Sequence, residues 1–483
     1  MGNDFNYIFN RRHSLLLENR RIFERNAAAY AGGENYISLA LVRHMSEIEP
    51  EFVERCRRAY YFNYPRKLAR LITQYSLAGD PERPKAPGDI VEDFSRSGLR
   101  ANEVMRQFST LLNIYGLAWL LVEMPALDEE ENPDFRQCRP YALALPPMAV
   151  PDWAFDRDGR LSWAIVEEQN INKLDPYREA VPTVRRRLWT RKNWQLFERN
   201  LITGQVECVG FGEHNLNAVP LVIGQEADGV GIAGSHWFED VVRISDAILN
   251  NESEAQMNIV KQMFGLLVIP ESFARSARPV NSAGSSSDDK APPKFSHLLA
   301  RSAAVWESNE ERGISRYISP SGSDTAQIRE ENFYLKRELY DVVGMAIQRE
   351  NAVAQTAESK AWDYQNIRQF LTCRVDLIEQ CENQVWQLMR RWDGAIPDFQ
   401  VAYSRDFAVV NMRDSVETLL SIKSLASTPA FQREISNTAL NMLEKIRRLS
   451  PEVRDEIQRE ISNQATGKTP DFENIAADEV KNV

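Results

Sequence analysis

Residues 357–392 read AESKAWDYQNIRQFLTCRVDLIEQCENQVWQLMRRW, and this stretch decides the fold. Its apolar residues recur every three or four positions, which is the spacing of one face of an α-helix. The stripe consists of Tyr364, Ile367, Leu371, Val375, Ile378, Cys381, Val385, Met389 and Trp392. A helix of this length would span roughly 54 Å at 1.5 Å per residue. The sequence therefore predicts a strut, longer than a small domain is wide, around which the other elements are arranged.

Two shorter helical patterns precede the strut and are separated by an insertion. The first covers 235–265 and begins at Ser235, a residue type favoured at helix N-caps. The second covers 324–347, and Asp324 followed three residues later by Gln has the spacing of a capping box. Between them, 272–294 is rich in Ser, Ala and Pro, which predicts a mobile loop. The chain thus reads as helix, insertion, helix, polar break and strut.

The first half of the chain mixes helical and strand patterns. Leu99–Val122 is predicted to be half helix and half buried strand, with Gly116 as the pivot between them. Asp158-Gly159 lies between apolar stretches and predicts a hairpin, because this dipeptide accepts the positive φ angles of tight turns. Alternating residues over 187–210 extend this hairpin into an antiparallel meander, and 219–223 is expected to close the same sheet.

The two ends of the chain carry weaker patterns. Residues 1–35 hold five arginines in the first 25 positions, which indicates either a frayed, solvated terminus or an arm that contacts a neighbour. After the strut, 398–407 is predicted to be a strand. Short helices are expected around Pro429 and from Pro451, and the tail from Gly467 is expected to be disordered.

Composition limits the classes of protein to consider. The chain has 483 residues, 26% of them charged, and a formal net charge of −11. A tight clamp on DNA phosphates is usually basic, so this balance argues against such a clamp, although a channel through which DNA slides remains compatible with it. The longest apolar run, Leu117–Val122, is far too short to span a membrane. Five scattered cysteines without a Cys-x-x-Cys motif indicate free thiols in a reducing cytoplasm.

Enzyme and metal motifs are poorly represented. The five histidines lack metal-ligand spacing, and no G-x-S-x-G elbow occurs, so no cofactor, metal or catalytic residue is predicted. Gly229-Val-Gly231-Ile-Ala-Gly234 does match G-x-G-x-x-G before a helix, which would suit a dinucleotide pyrophosphate. The distances to the preceding strand and to the next acidic residue do not fit a compact βαβ unit. The glycines are therefore interpreted as a turn, with a nucleotide-binding enzyme as the alternative hypothesis.

The order of these elements resembles the core of a tailed-bacteriophage portal protein, the ring at the capsid vertex through which DNA is packaged and ejected. Four stretches carry the resemblance: Gly231–Ser235 leading into Phe238–Val241, Met263–Pro270, Arg329–Ile347 and Ala357–Ala361. They resemble the turn into a first stem helix, the exit into the clip, the returning stem helix and the start of the helix after the tunnel loop. The four stretches lie between residues 231 and 361, and their order is more specific than any one of them.

The resemblance implies an α+β fold with a defined division of the chain. It assigns 1–35 to an N-terminal arm and 36–234 to a wing. The stem helices would be 235–265 and 324–347, with the clip, 266–323, between them. The tunnel loop would be 348–356, followed by the long wing helix and a strand at 357–410, a helical crown at 411–466 and a disordered tail at 467–483.

The resemblance also implies which residues face partners. Gln348, Arg349, Glu350 and Asn351 would form the tunnel loop facing DNA, although the residues themselves equally fit a solvated helix-to-helix corner. Lys261, Lys336 and Arg337 would line the channel or form salt bridges between subunits. Arg275, Arg278, Lys290 and Lys294 would lie in the clip, or would simply be charges of a soluble loop.

The implied function is structural. The resemblance predicts a non-enzymatic ring of twelve subunits in the virion, assembled in the host cytoplasm. Its partners would be the major capsid protein, the terminase, a head–tail connector or adaptor, and double-stranded DNA passing without sequence specificity, with no membrane. A second alternative is another head–tail virion component, such as an adaptor or minor capsid protein, which would form rings without the tunnel loop.

Overall fold

The computed structural model describes residues 5–124, 138–168, 182–226, 237–263, 266–270, 305–308, 316–318, 322–344, 357–405, 407, 428–446 and 451–463. The chain divides into two compact units, Met1–Phe407 and Ala408–Val483, and each is described by itself. Helices and antiparallel sheet occur together in the first unit, so the predicted α+β class is confirmed. None of the described helices combines the length and the apolar character that a bilayer span requires.

The described helices are numbered in chain order. They are α1 Asn6–Asn10, α2 Ser14–Ala31, α3 Glu34–Ala40, α4 Glu49–Arg58, α5 Tyr64–Ser76, α6 Gly88–Glu92, α7 Ala101–Tyr115, α8 Trp237–Met263, α9 Gly322–Asp341, α10 Ala357–Trp392, α11 Pro429–Ile446 and α12 Pro451–Asn463. The last two belong to the second unit, where they contact each other.

The described strands form three sheets. They are β1 Leu117–Glu123, β2 Tyr141–Leu145, β3 Asp152–Phe155, β4 Leu161–Glu168, β5 Thr183–Thr190, β6 Asn193–Asn200, β7 Val206–Glu213, β8 Leu221–Gln225, β9 Leu266–Pro270, β10 Val305–Ser308 and β11 Arg316–Ile318. The first sheet has the order β2-β1-β8, and the second is the meander β3-β4-β5-β6-β7; both are antiparallel. In the third, β9 pairs parallel to β10 and antiparallel to β11.

The core of the first unit is built on both faces of β1. Ala118, Leu120 and Val122 point into a cluster with α7 and α10, whereas Trp119 points to the opposite side, toward the meander. Alternation of side chains across a strand explains why six consecutive residues, 117–122, are all buried. This strand is therefore the layer that joins the meander to the strut.

Two glycines allow α7 to pack on this sheet. Gly116 ends α7 in the left-handed region, with φ +69°, and turns the chain directly into β1. On β8, a Cβ at Gly224 would lie 2.4 Å from Cζ of Phe108 on α7, which is far inside van der Waals contact. The predicted helix–strand division at Gly116 is confirmed, whereas the close approach at Gly224 has no sequence signal.

The strut prediction is confirmed over its full length. The helix α10 covers Ala357–Trp392, and the described members of its stripe are buried from Leu371 through Met389. The two helices predicted before the strut are also present, as α8 and α9. The second ends at Asp341 rather than residue 347, because the chain turns at 342–344 and Gly344 adopts φ +69°, which an α-helix cannot continue through.

The hairpin and meander predictions are confirmed, with one error of pairing. Asp152–Phe155 pairs with Leu161–Glu168 across Gly159, whose φ is +72°. The strand predicted at 219–223 is present as β8, but its assignment to the meander is wrong, because it pairs with β1. Residues 398–407 were predicted to be a strand, and among those that the structure describes, 398–405 and 407, Ala402 alone forms a bridge, with Glu82. The insertion 266–323 contains β9, β10 and β11, which the sequence did not predict.

The N-terminal segment is part of the core, so its interpretation as a frayed terminus is wrong for residues 5–35. Leu16 and Phe23 of α2 are buried against Trp119 and its neighbours. Arg186 of β5 donates to the backbone oxygens of Ile8 at 3.0 Å and Phe9 at 2.8 Å, which fixes α1 on the meander. In the second unit, helices begin at the predicted Pro429 and Pro451; residues 408–427 and 464–483 lie outside the described part of the chain.

His13 makes the attachment of α2 dependent on pH. Its Nδ1 accepts the N-cap hydrogen bond from Leu15 N at 3.3 Å, and its ring stacks on Trp153 at 3.8 Å between centroids. Burial lowers the pKa of His13, and this effect exceeds the opposing attraction of Asp152 and Glu18. The unfolded chain therefore binds a proton at a higher pH than the folded chain does.

We expect the free energy of unfolding to fall as pH drops below about 6.5, the ordinary pKa of histidine, until the lowered folded-state pKa is passed. Urea titrations at several pH values would measure this loss. The variant His13→Asn keeps an N-cap acceptor without a titrating group, and its stability should lose less over the same window. An identical pH profile for both proteins would contradict the role of His13.

Candidate functional site

The candidate site is the pair of helices α8 and α9, which pack antiparallel with a fixed register. Asn251 Nδ2 donates to Asn332 Oδ1 at 3.0 Å, and Asn258 Nδ2 donates to Thr325 Oγ1 at 3.1 Å. A step of seven residues toward the C-terminus of α8 therefore corresponds to a step of seven residues toward the N-terminus of α9. Asn332 also donates to Glu252 Oε1 at 2.9 Å. The insertion 264–321 joins the two helices at the end where α8 finishes and α9 begins.

The seam between the two helices changes character along its length. Near the start of α8, Val241 and Ile248 pack with Leu339 and with residues of α5 and α10. Farther along, the buried positions of α9 are Asn332 and Thr325, which are both polar. Apolar contact therefore stabilises one half of the seam. In the other half, paired amides and hydroxyls set the register, because a slipped register would leave them without partners.

This polar seam can be tested by Asn332→Leu. The substitution keeps a similar volume but removes the partner of Asn251 and Glu252, so the free energy of unfolding should fall by about 1–2 kcal/mol. Gln327→Leu, on the exposed side of the same helix, is the matched control and should change it by less than about 0.5 kcal/mol. Equal stabilities of the two variants in urea unfolding would show that the seam is not held by Asn332.

The first half of α8 is fixed to the N-terminal helices by Asp246. Its buried carboxylate accepts hydrogen bonds from the Tyr36 hydroxyl and from the Arg25 guanidinium. Burial raises the pKa of Tyr36 well above its ordinary value, and the bond to Asp246 acts in the same direction. Tyr36 therefore stays protonated and keeps donating. One turn later, Asn250 accepts from Val42 N at 2.8 Å and donates to the Ala40 carbonyl at 3.1 Å.

A second anchor lies two turns farther on. The buried Arg55 of α4 donates to both carboxylate oxygens of Glu47 at 2.9 Å and to the Val42 carbonyl at 2.6 Å. The remaining guanidinium nitrogen of Arg55, Nη1, lies 3.5 Å from Ser253 Oγ of α8. The hydrogen bonds from Arg55 lower the pKa of Glu47, so that pair stays ionised. Helix α8 is thus clamped up to Ser253, and its last ten residues extend past these anchors.

The end of α9 touches the strut directly. A Cβ on Gly344 would lie 3.5 Å from the backbone nitrogen of Ile367, so the two backbones are in close contact there. Residues 345–356 connect this point to Ala357. Because α10 begins ten residues before Ile367, its first turns extend roughly 15 Å beyond the contact. The polar break 348–356 therefore lies in the segment that connects Gly344 to the first turn of α10.

The strut itself is fixed by two buried charged groups. Arg374 donates to Asn113 Oδ1 at 3.0 Å and pairs with Glu226. Glu382 accepts from Arg83 at 2.6 and 3.1 Å, from Trp386 Nε1 at 3.0 Å and from the Tyr403 hydroxyl. Sequence analysis had placed none of these residues in a network. Their spacing on α10 puts them beside the apolar stripe, but their partners come from distant parts of the chain.

Three of the predicted site residues, Lys261, Lys336 and Arg337, lie in the described part of the chain. Lys261 is exposed in the last turn of α8, next to the start of α9. Lys336 lies 14 positions farther along α9, roughly 21 Å away, with Nζ 5.6 Å from the ring centroid of Phe62. Arg337 is exposed and forms a 3.8 Å ion pair with Asp341. The remaining predicted positions lie outside the described residues: Gln348, Arg349, Glu350, Asn351, Arg275, Arg278, Lys290, Lys294 and Gly229–Gly234.

A cavity of about 950 Å³ lies between β1–β2 and β4–β5. Four of its polar and charged side chains interact with one another. Arg187 pairs with Glu168 at 2.6 Å and with Glu123 at 3.2 Å, and the Tyr141 hydroxyl donates to Glu123 at 2.7 Å. These groups form a closed network, not a set that converges on a ligand.

Other chemically active groups in the described part of the chain are isolated. No cluster of three or more His, Cys, Asp or Glu there could hold a metal ion. Cys381 is buried, which raises the pKa of its thiol to about 12.

Comparison with known proteins gives a structural likeness but no sequence match. No family model matches the chain, and no curated protein matches it. Among solved structures, the chain is similar to a chain from the virion of a native gene transfer agent (GTA) particle. The two share 12% sequence identity with a TM-score of 0.42, over 85% of this chain and 98% of the other.

Proposed function

We propose that this chain is a structural subunit of a phage-like virion and, within that class, a portal subunit. The observation that carries the proposal is the arrangement of α8, α9 and α10. Two antiparallel helices hold an insertion at one end, and at the other end the second helix touches the strut at Gly344. A ring of such subunits would present the insertion at one face and the polar break toward its axis.

The physical properties of the helix pair suit such a ring. Its seam is fixed in register by buried amides, and its base is clamped by Asp246 and Arg55, so it behaves as a rigid rod. Rigid subunits with heterologous contacts close into a ring if the rotation at each contact is a whole fraction of a full turn without translation along the axis. The formal net charge of −11 disfavours tight retention of DNA, which suits a channel through which DNA moves.

The finer roles belong to the same proposal. Residues 348–356 would face DNA as the tunnel loop, with Gln348, Arg349 and Asn351 making weak phosphate contacts. The insertion, which includes β9–β11, would be the clip that meets the terminase and later the connector. The ring would have twelve subunits and would be seated in the major capsid protein at the vertex. None of these roles needs a catalytic group or a cofactor.

The proposal is tested by measuring the particle size of the purified protein. Analytical ultracentrifugation, with negative-stain images of the same fractions, should show rings with a central hole. A monomer or compact dimer at every concentration, with and without scaffolding protein, would contradict a portal. A heat of binding with ATP or NAD in the same preparation would instead favour the nucleotide-binding hypothesis at Gly229–Gly234.

A further inference from the structure

The surface of α9 sorts its charges onto two opposite flanks. One flank carries Arg329, Phe333 and Lys336, and we call it the basic flank. The other carries Glu331, Tyr334 and Glu338, and we call it the acidic flank. With 3.6 residues per turn, the two flanks lie roughly 165° apart around the helix, with the seam to α8 between them. Each flank therefore has one sign of charge and one central aromatic residue.

The basic flank is an open, aromatic surface. Phe333 is 51% exposed, and Arg329 is exposed as well. Lys336 lies over the ring of Phe62, which is 41% exposed and contacts Tyr60 at 4.7 Å between ring centroids. The basic flank is therefore extended by two exposed aromatic side chains, Tyr60 and Phe62, of the segment before α5.

The acidic flank is equally open. Tyr334 is 55% exposed, and its hydroxyl is hydrogen-bonded to Glu338. Within the described ranges, no lysine or arginine lies within ion-pair distance of Glu331 or Glu338, and Arg329 has no carboxylate partner there. The 3.8 Å pair between Arg337 and Asp341 lies on the outward ridge between the flanks.

We propose that the acidic flank of α9 in one subunit docks on the basic flank of α9 in the next subunit. This inference rests on the proposed ring and names one of its contacts. Two different patches of opposite sign on the same chain are what a repeating heterologous interface requires. Charge complementarity fixes partner and orientation, and Phe333 and Tyr334 supply the apolar centre of the contact.

A second copy of the chain fits these flanks better than DNA does. DNA would bind the basic flank alone and would be repelled by Glu331 and Glu338 on the other flank. A neighbouring copy satisfies both flanks of every subunit at the same time. Lys336 is thereby assigned to a contact between subunits and not to the channel wall.

The test uses charge reversal on the full-length chain. One double variant carries Glu331→Lys and Glu338→Lys. A second double variant carries Arg329→Glu and Lys336→Glu. Each should lower the assembled fraction about tenfold or more, because like charges then face each other at every contact. The quadruple variant exchanges the signs of both flanks and should assemble again. The matched control is a double variant at two exposed positions on β7, Glu207→Lys with Glu213→Lys. It should assemble normally.

The outcomes separate this contact from the proposed function. If the wild type forms rings and both double variants assemble as well as the control, the flank contact is wrong and the ring proposal stands. If Arg329→Glu with Lys336→Glu assembles normally but changes DNA retention, the basic flank faces DNA and the contact is overturned. If the wild type never assembles, the ring proposal fails and the contact fails with it.

The salt dependence of the wild type gives a readout that needs no variant. Raising NaCl from about 0.1 M to about 1 M shortens the screening length from about 10 Å to about 3 Å. Rings held by the two flanks should dissociate measurably at the higher concentration. An assembled fraction that is the same at both concentrations would contradict the contact, even if every variant misfolds.

Discussion

Replacing Glu382 by Gln should lower the free energy of unfolding by about 3–5 kcal/mol, the cost of breaking a buried ion pair. The Glu382 side chain is 0% exposed and that of its partner Arg83 is 7% exposed, so water cannot replace the lost charge. Tyr403 and Trp386 also donate to the same carboxylate. Burial and this carboxylate raise the pKa of Tyr403 well above its usual value, so the phenol remains a donor throughout the accessible pH range.

The measurement is urea unfolding followed by tryptophan fluorescence. The matched control is Asp376→Asn, which breaks a pair of the same chemistry between Arg405 and Asp376, at side-chain exposures of 40% and 52%. That change should cost less than about 1 kcal/mol. If Glu382→Gln costs no more than Asp376→Asn does, the buried network does not stabilise the strut.

Replacing Phe23 by Ala should cost about 3–5 kcal/mol, the range for deleting a buried aromatic side chain. Phe23 is 1% exposed, packs in the cluster around Trp119 and meets Tyr115 edge to face at 5.7 Å. The size of this effect distinguishes a segment that completes the core from an arm that folds on a neighbour.

Leu17→Ala on the same helix is the control, because Leu17 is 59% exposed. Its effect on the free energy of unfolding should stay within about 0.5 kcal/mol. Thermal or urea unfolding of both variants as dilute protein would decide the matter. A loss below about 1 kcal/mol for Phe23→Ala would mean that α2 is not part of the folded subunit.

The helices could be predicted because their signals are local. The stripe of α10 repeats over 36 residues, so no single exception could hide its period. Gly116 separates a helical from a strand pattern in the sequence itself, and the structure has its boundary there. The strand at Leu221–Gln225 was also visible, but its partner was not, because strand pairing depends on residues far away in the chain.

The anchors of α8 could not be predicted for the same reason. Asp246 resembles an ordinary polar residue on a helix until Arg25 and Tyr36 are seen to meet it across 221 and 210 positions. The five N-terminal arginines indicated a solvated segment, although Arg25 is in fact committed to this buried carboxylate. Charge sorting on α9, in contrast, can be read directly from its sequence at 100° per residue. Lys336 and Arg337 alone indicate only a basic surface, and the sorting is visible once the acidic residues around them are placed at the same angular spacing.

The contact of Arg25 and Tyr36 with Asp246 also has a consequence for synthesis of the chain. At 5–20 residues per second, about 10–45 s pass between translation of the N-terminal helices and translation of α8. During that interval the buried faces of α2 and α3 have no α8 to pack against. Residues 14–40 are thus made well before the helix that completes their packing. The nascent chain must keep Ala29 and Tyr36 from wrong contacts until Phe238 and Val242 of α8 have left the ribosome.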